Sequence, residues 1–308
     1  MSEPRFVHPQ VRRADAVQPR VPLTPSTPST LEASRQSMRD ATLAECGAGL
    51  AVFDVVDLVC DGVRCRLYRA DETAGGTVVF LHGGGWVLGD LDTHDALCRG
   101  LCRQAGRPVL AVDYRLAPEH PYPAALEDTE RALEWLRRDG RSVGLSADPV
   151  VIVGDSAGGH LATVVARRCR DRGADLAGQI LVYPVIDPAA NYPAEEDHGL
   201  GADEMRFFWR AYAPADADLT HADLAPLRAD LAGLPPTLII TADLDPLRVE
   251  GERYAEALAN SGLPVTAVRY LGLNHGFARK LAIFDGAGMA VSQIGAAIRH
   301  LLQPMRRE

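Results

Sequence analysis

From Phe53 to Arg69 apolar and polar residues alternate on both sides of Asp61-Gly62, a dipeptide suited to a type I′ turn, so this stretch predicts an antiparallel hairpin. The rhythm then changes. Short β-branched runs at Thr77 to Leu81, Pro108 to Tyr114, Val150 to Val153, Gly178 to Tyr183, Thr237 to Thr241 and Pro264 to Leu271 predict strands. Between them lie helical patterns near Asp92 to Gln104, Pro121 to Asp139, Ala157 to Arg170 and Pro246 to Asn260, with a last one near Gly288 to Leu302. In that last helix Val291, Ile294, Ile298 and Leu301 recur at three and four residues, one apolar face to set against a sheet. Strands alternating with helices imply a mostly parallel, doubly wound sheet of about eight strands, with ligands beyond the strands' carboxyl ends.

Two segments break the alternation. Residues 1 to 48 form an arm in which Pro9 to Val17 and Leu31 to Leu43 suit short helices, joined by the proline- and hydroxyl-rich stretch Val21 to Thr30. Between Asp187 and about Leu234 no strand is evident, yet Met205, Phe207, Phe208, Trp209 and Tyr212 fall together. Such a cluster suits core packing, and a lid helix over the mouth of the sheet satisfies that reading as well.

Composition narrows the function classes. A net charge of -9 over 308 residues, with basic residues interspersed among acids, argues against a nucleic-acid or anionic-membrane surface and favours a small uncharged partner. No apolar run approaches a membrane span and no signal-like segment opens the chain, so the expectation is a cytoplasmic protein. The six cysteines are scattered, and Cys98 to Cys102 has neither redox nor zinc spacing, so reduced structural thiols and no metal are expected.

Chemistry concentrates at the predicted strand ends. Gly154-Asp155-Ser156-Ala157-Gly158 is a G-x-S-x-G corner between strand and helix, where glycines on either side let backbones approach and the serine hydroxyl stands above the sheet. After Leu81 comes His82-Gly83-Gly84-Gly85-Trp86, whose glycines free backbone N–H groups to face a developing oxyanion. A phosphate cradle is the rival reading, but neither glycine cluster fits G-x-G-x-x-G and no G-x-x-x-x-G-K-[ST] occurs. Asp245, expected to cap a helix starting at Pro246, can also orient a histidine, with Asp243 as competitor. His275, followed by Gly276 in a loop, is a better base than His94 at a helix start or His160 inside one. The order Ser156, Asp245, His275 is that of the α/β-hydrolase triad.

Together, His82 to Asp90 (HGGGWVLGD), Asp113 to His120 (DYRLAPEH), Gly154 to Gly159 (GDSAGG), Asp245-Pro246-Leu247 and His275-Gly276-Phe277 resemble the signature blocks of the hormone-sensitive-lipase-like esterases. The resemblance runs from about Pro9 to the C-terminus. It departs at Val249, where the family commonly carries an acidic residue. It implies an α/β-hydrolase fold, with residues 49 to 187 and 226 to 308 as the core and a helical cap built from residues 1 to 48 and the insertion 188 to 225. It also implies cofactor-free hydrolysis of carboxylic esters and a homodimer through the last strand, Pro264 to Leu271. By position, Ser156 is the nucleophile, His275 the base and then acid, and Asp245 its orienting carboxylate. Gly84, Gly85 and Ala157 supply the oxyanion donors, Gly83 less readily, with His82 and Asp155 as supports behind them. Activity is expected to rise as the imidazole loses its proton. A compact cap is expected to leave an apolar pocket of limited volume, suited to short acyl chains and small alcohols. Amide- or carbonate-cleaving relatives, other acyl transferases and a non-catalytic receptor on the same fold are the alternatives.

Overall fold

The computed structural model describes residues 5–17, 28–70, 75–192 and 199–303. The hairpin is formed by β1 (Asp54–Cys60) and β2 (Val63–Arg69), turning through Asp61 and Gly62, both at positive φ. The remaining strands are β3 (Thr77–Leu81), β4 (Val109–Asp113), β5 (Val150–Asp155), β6 (Gly178–Val182), β7 (Thr237–Leu244) and β8 (Val265–Asn274). They make one eight-stranded sheet in the order β1-β2-β4-β3-β5-β6-β7-β8, parallel from β4 to β8 and antiparallel where β2 joins β1 and β4.

Period-two alternation decides the layers. Val79, Leu81 and Ile152 face one core, shared with α4 (Ala124–Asp139), α5 (Ala157–Asp171) and α7 (Arg248–Asn260). Val78, Phe80, Val151 and Val153 face the other, under α3 (Asp95–Ala105) and α8 (Asp285–Leu301). The chain leaves β3 toward β4 on one side and returns through α4 to β5 on the other. The strand order therefore reverses at β3 and β5, the strands that precede the glycine run and the serine corner. A crevice opens at such a switch point.

Three further helices are described. Helix α1 (Pro9–Val17) buries Val11 in the second core, and the His8 N–H just ahead of it donates to Gly272 O at 3.0 Å. Helix α2 (Pro28–Cys46) starts earlier and ends later than its pattern predicts. Pro28 opens it because a proline at the first helical position loses no intrahelical hydrogen bond; residues 21–27 of the proline-rich stretch lie outside the described residues. Helix α6 (Ala202–Tyr212) carries the aromatic cluster, with Tyr212 stacked on Trp86 at 4.3 Å between centroids.

Other boundaries also shift. Helix α8 begins at Asp285 and runs through Gly286 and Gly288, because its apolar face is buried deeply enough to carry two poor helix formers. Helix α7 begins at Arg248, two residues beyond the predicted proline start, while Asp245 Oδ1 still accepts the Leu247 N–H at 2.8 Å.

Candidate active site

Ser156 sits at φ 54°, ψ −120° between β5 and α5, a conformation costly for a residue with a Cβ. The corner closes because there is no side chain at its flanks. A Cβ on Gly158 would stand 2.0 Å from Leu81 O, and one on Gly154 would stand 2.1 Å from Gly158 O. The Ser156 N–H donates to Val182 O at 2.8 Å, which pins the bend to β6.

His275 follows directly on β8, and Gly276 at φ 77° turns the chain away behind it. Its Nε2 lies 3.0 Å from Ser156 Oγ and its Nδ1 lies 2.7 Å from Asp245 Oδ2. Asp245 is fully buried. With one carboxylate oxygen on the Leu247 N–H and the other on the imidazole, it has no freedom to rotate. Tyr183 packs its ring against His275 at 4.8 Å. The structure thus brings Ser156, His275 and Asp245 into one line of hydrogen bonds. Asp243 is turned elsewhere and accepts the Gly272 N–H, while His160 is buried edge-on against Trp86, Trp209 and Tyr212.

The glycine run passes beside this line. The Gly83 N–H donates to Asp155 Oδ1 at 2.8 Å and is therefore already engaged. Gly84 O accepts the N–H groups of Val87 and Leu88, folding the run back on itself. At φ 124° Gly84 needs glycine twice over, because a Cβ would stand 2.2 Å from Leu88 O. The N–H groups of Gly84, Gly85 and Ala157 carry no hydrogen bond among the described residues. Phe208 of α6 covers Gly85 so closely that a Cβ there would meet its ring at 2.3 Å.

His82 and Asp155 stand behind the run. The His82 ring stacks on Tyr114 at 4.2 Å, and the Tyr114 hydroxyl donates to His82 O at 2.6 Å. Burial, reinforced by His94, lowers the His82 pKa to about 4 and keeps the ring neutral. Burial works against ionisation of Asp155, but His94, with its Nε2 3.4 Å from Oδ1, and the Gly83 N–H outweigh it and hold that carboxyl below the ordinary range.

The sequence reading set His94 aside as a base and missed its place beside Asp155. A local signal was present: in Asp90-Leu91-Asp92-Thr93, Asp90 Oδ1 accepts the Thr93 N–H and Thr93 Oγ1 accepts the Asp90 N–H, a reciprocal box that presents His94. It also missed α2. Arg35 donates to Val87 O at 2.9 Å and pairs in bidentate fashion with Glu119, while Glu45 bonds both Arg279 and Lys280, each at 2.8 Å. One helix thereby joins the glycine run to the segment after His275.

These groups share a cavity of about 1030 Å³, lined by residues 83–85, Ser156 and His275 and roofed by side chains of α1, α2 and α6. Leu88, Met205 and Phe208 are among its apolar lining, and α2 adds Thr30, Ser34, Ser37 and Glu45 along the face it turns to the cavity.

A family model for the alpha/beta hydrolase fold matches residues 78–279. The chain belongs to this family, that of the hormone-sensitive-lipase-like esterases. It is 39% identical over 298 residues to the esterase LipI of Mycobacterium tuberculosis, covering 92% of each chain. It is 42% identical to the carboxylic ester hydrolase LipN of the same organism, covering 87% of this chain and 75% of that one. Among solved structures, the hyperthermophilic esterase of the archaeon Pyrobaculum calidifontis superimposes with a TM-score of 0.90 at 36% identity, covering 96% of this chain and 99% of that one. This member of the family is a carboxylic ester hydrolase. No helix among its described residues is long and apolar enough to cross a membrane.

Proposed function

We propose that this esterase works by a serine mechanism through an acyl-enzyme, with Ser156, His275 and Asp245 as its triad. The hydrogen-bonded line from Ser156 Oγ through the imidazole to Asp245 carries this reading. Ser156 Oγ attacks the ester carbonyl carbon as its proton passes to His275 Nε2. The carbonyl oxygen becomes an oxyanion held by the N–H groups of Gly84, Gly85 and Ala157. Nε2 returns the proton to the departing alkoxide, leaving an acyl-serine and a free alcohol. A water then gives its proton to Nε2 and attacks the acyl-serine, and the carboxylic acid leaves as Ser156 regains its proton. Asp245 holds the Nδ1–H tautomer and favours the imidazolium at both stages.

Residues 1 to 48 and 188 to 225 act as a cap over a core of residues 49 to 187 and 226 to 308. The acyl chain lies against Leu88, Met205 and Phe208, an apolar recess that α6 closes, which favours short chains. The chain works in the cytoplasm, in keeping with six free, buried cysteines. It pairs into a homodimer through β8, which occupies an edge of the sheet.

The test uses wild type and Ser156→Ala with p-nitrophenyl esters of increasing acyl length, and an organophosphate label. Wild type is expected to turn over the short esters and to carry the label on Ser156, with the variant inert. Turnover by the variant, label elsewhere, or a preference for long chains would contradict the proposal.

A further inference from the structure

Resting on the serine-esterase reading above, the alignment of base with nucleophile needs more than the two hydrogen bonds of the triad. The bond to Asp245 fixes Nδ1 of His275, but it leaves the imidazole free to tilt about that bond, and a tilted ring carries Nε2 away from Ser156 Oγ. Tyr183 is placed to stop that tilt. Its ring packs on the imidazole at 4.8 Å between centroids and 57° between planes, and Phe277 stands against it at 5.8 Å. The ring therefore sits in the crook that the chain makes at Gly276, against the residues on both sides of it. Among the described residues no other aromatic ring meets His275.

The same segment holds the nucleophile. The Ser156 N–H donates to Val182 O at 2.8 Å, and Ser156 O accepts the Val185 N–H at 3.3 Å, so the residues flanking Tyr183-Pro184 grip both backbone polar groups of the serine. One short stretch of chain thereby touches the nucleophile through its backbone and the base through a side chain.

The backbone carries strain at the same point. Tyr183 lies at φ 38°, a region that a bulky side chain rarely enters, and its N–H is tied to Ile240 O at 2.6 Å. Glycine would take that φ freely. The hydroxyl does not account for a tyrosine here, because it is buried and finds no hydrogen-bond partner among the described residues, which is unfavourable. What remains is the ring.

We infer that Tyr183 is a positioning residue of the esterase reaction, and that its aromatic ring, not its hydroxyl, holds His275 in line with Ser156.

The departing alcohol separates this role from a merely structural one. An alkoxide leaves as Nε2 protonates it, whereas p-nitrophenolate departs without a proton, so a misaligned imidazole harms ethyl butyrate more than p-nitrophenyl butyrate. The test measures kcat/KM for both esters in wild type, Tyr183→Phe and Tyr183→Leu, and the ratio of the two cancels any fraction of inactive protein. Tyr183→Leu meets the same backbone demand without the aromatic ring. It is expected to lose about tenfold on p-nitrophenyl butyrate and at least about threefold more on ethyl butyrate. Tyr183→Gly, relieved of the backbone strain, removes the ring in a second way and is read instead if the leucine variant does not fold. Tyr183→Phe is expected to keep both values within about twofold and to melt no lower than wild type. A ratio that loss of the ring leaves unchanged, or a tenfold loss in Tyr183→Phe, would overturn the inference, and the second outcome would give the role to the hydroxyl. Hydrolysis by Ser156→Ala would instead overturn the mechanism on which it rests.

Discussion

Asp155 accepts the backbone N–H of Gly83 at 2.8 Å, so the residue before the nucleophile fixes the start of the glycine run. Two loops that follow different strands, β3 and β5, are thereby locked at one point. The donors at Gly84 and Gly85 inherit their position from that bond. Their alignment with a reacting carbonyl therefore depends on the Asp155 carboxylate.

Replacing that carboxylate tests the dependence. Asp155→Asn keeps an oxygen for the Gly83 N–H but loses the charge beside His94, whereas Asp155→Ala frees the run. The expected order of kcat is wild type, then Asn, then Ala, with Ala lower by about 10- to 100-fold, less than the loss of an oxyanion donor itself. KM for p-nitrophenyl butyrate should change little, because the bond sets donor geometry and not substrate contact. Equal kcat in all three proteins would remove Asp155 from this role.

Two glycine substitutions should move stability in opposite directions. At Gly158 an added Cβ meets the backbone of Leu81 at 2.0 Å, and no flexible side chain can yield. Gly158→Ala is expected to cost at least about 3 kcal/mol or to prevent soluble folding. At Gly288, inside α8, nothing lies within 4 Å of the added carbon. Gly288→Ala should stabilise by about 0.5–1 kcal/mol through helix propensity alone. Urea midpoints of the two variants against wild type decide both.

The contrast between those glycines reflects what a sequence carries. Ser156 and Asp245 each follow a buried strand and His275 follows a half-exposed edge strand, and a strand followed by a turn is a local pattern. The hairpin was legible for the same reason, since Asp61-Gly62 sets its own register. The length of α2 was not, because its stability comes from partners far along the chain: Arg35 on Val87, and Glu45 on Arg279 and Lys280. Nothing within a window of the sequence marks Arg35 as different from the arginines beside it. Nor did composition mark Thr30, Ser34 and Ser37 as cavity-lining, since they read as ordinary helix-surface residues until a second wall faces them.

Acid should weaken the fold through two buried histidines. Burial lowers the pKa of His160 to about 4, and burial followed by the charge of His94 does the same to His82. Both rings are ordinary in the unfolded chain, with a pKa of about 6.5. A depressed pKa means that the stability held in the neutral ring is complete above pH ~6.5 and drains away as pH falls toward about 4, by about 2–3 kcal/mol for each histidine by pH ~4.5. The unfolding free energy of wild type should therefore drop between pH 7 and 4.5. In His160→Gln, which cannot titrate there, the drop should be smaller by about that amount. Parallel losses in both proteins would show that His160 does not contribute.

Glu250 should act in the opposite sense. Its carboxyl is buried among apolar groups, and burial, together with the nearby Asp187 and Asp245, raises its pKa well above the ordinary range even though Oε1 accepts the Ile186 N–H at 3.0 Å. A raised pKa contributes stability that is fully present below the unfolded value and is lost as pH rises through the folded one. The neutral acid is thus the form the site prefers, and a glutamine amide has nearly its shape while its oxygen can still accept from Ile186. Glu250→Gln is expected to match wild type in Tm near pH 5 and to exceed it by at least about 2 °C at pH 8, where the native carboxyl must either ionise in an apolar site or hold its proton against the solvent. A variant that melts below wild type at pH 8 would mean that the ionised carboxylate is what this corner of the fold is built to hold.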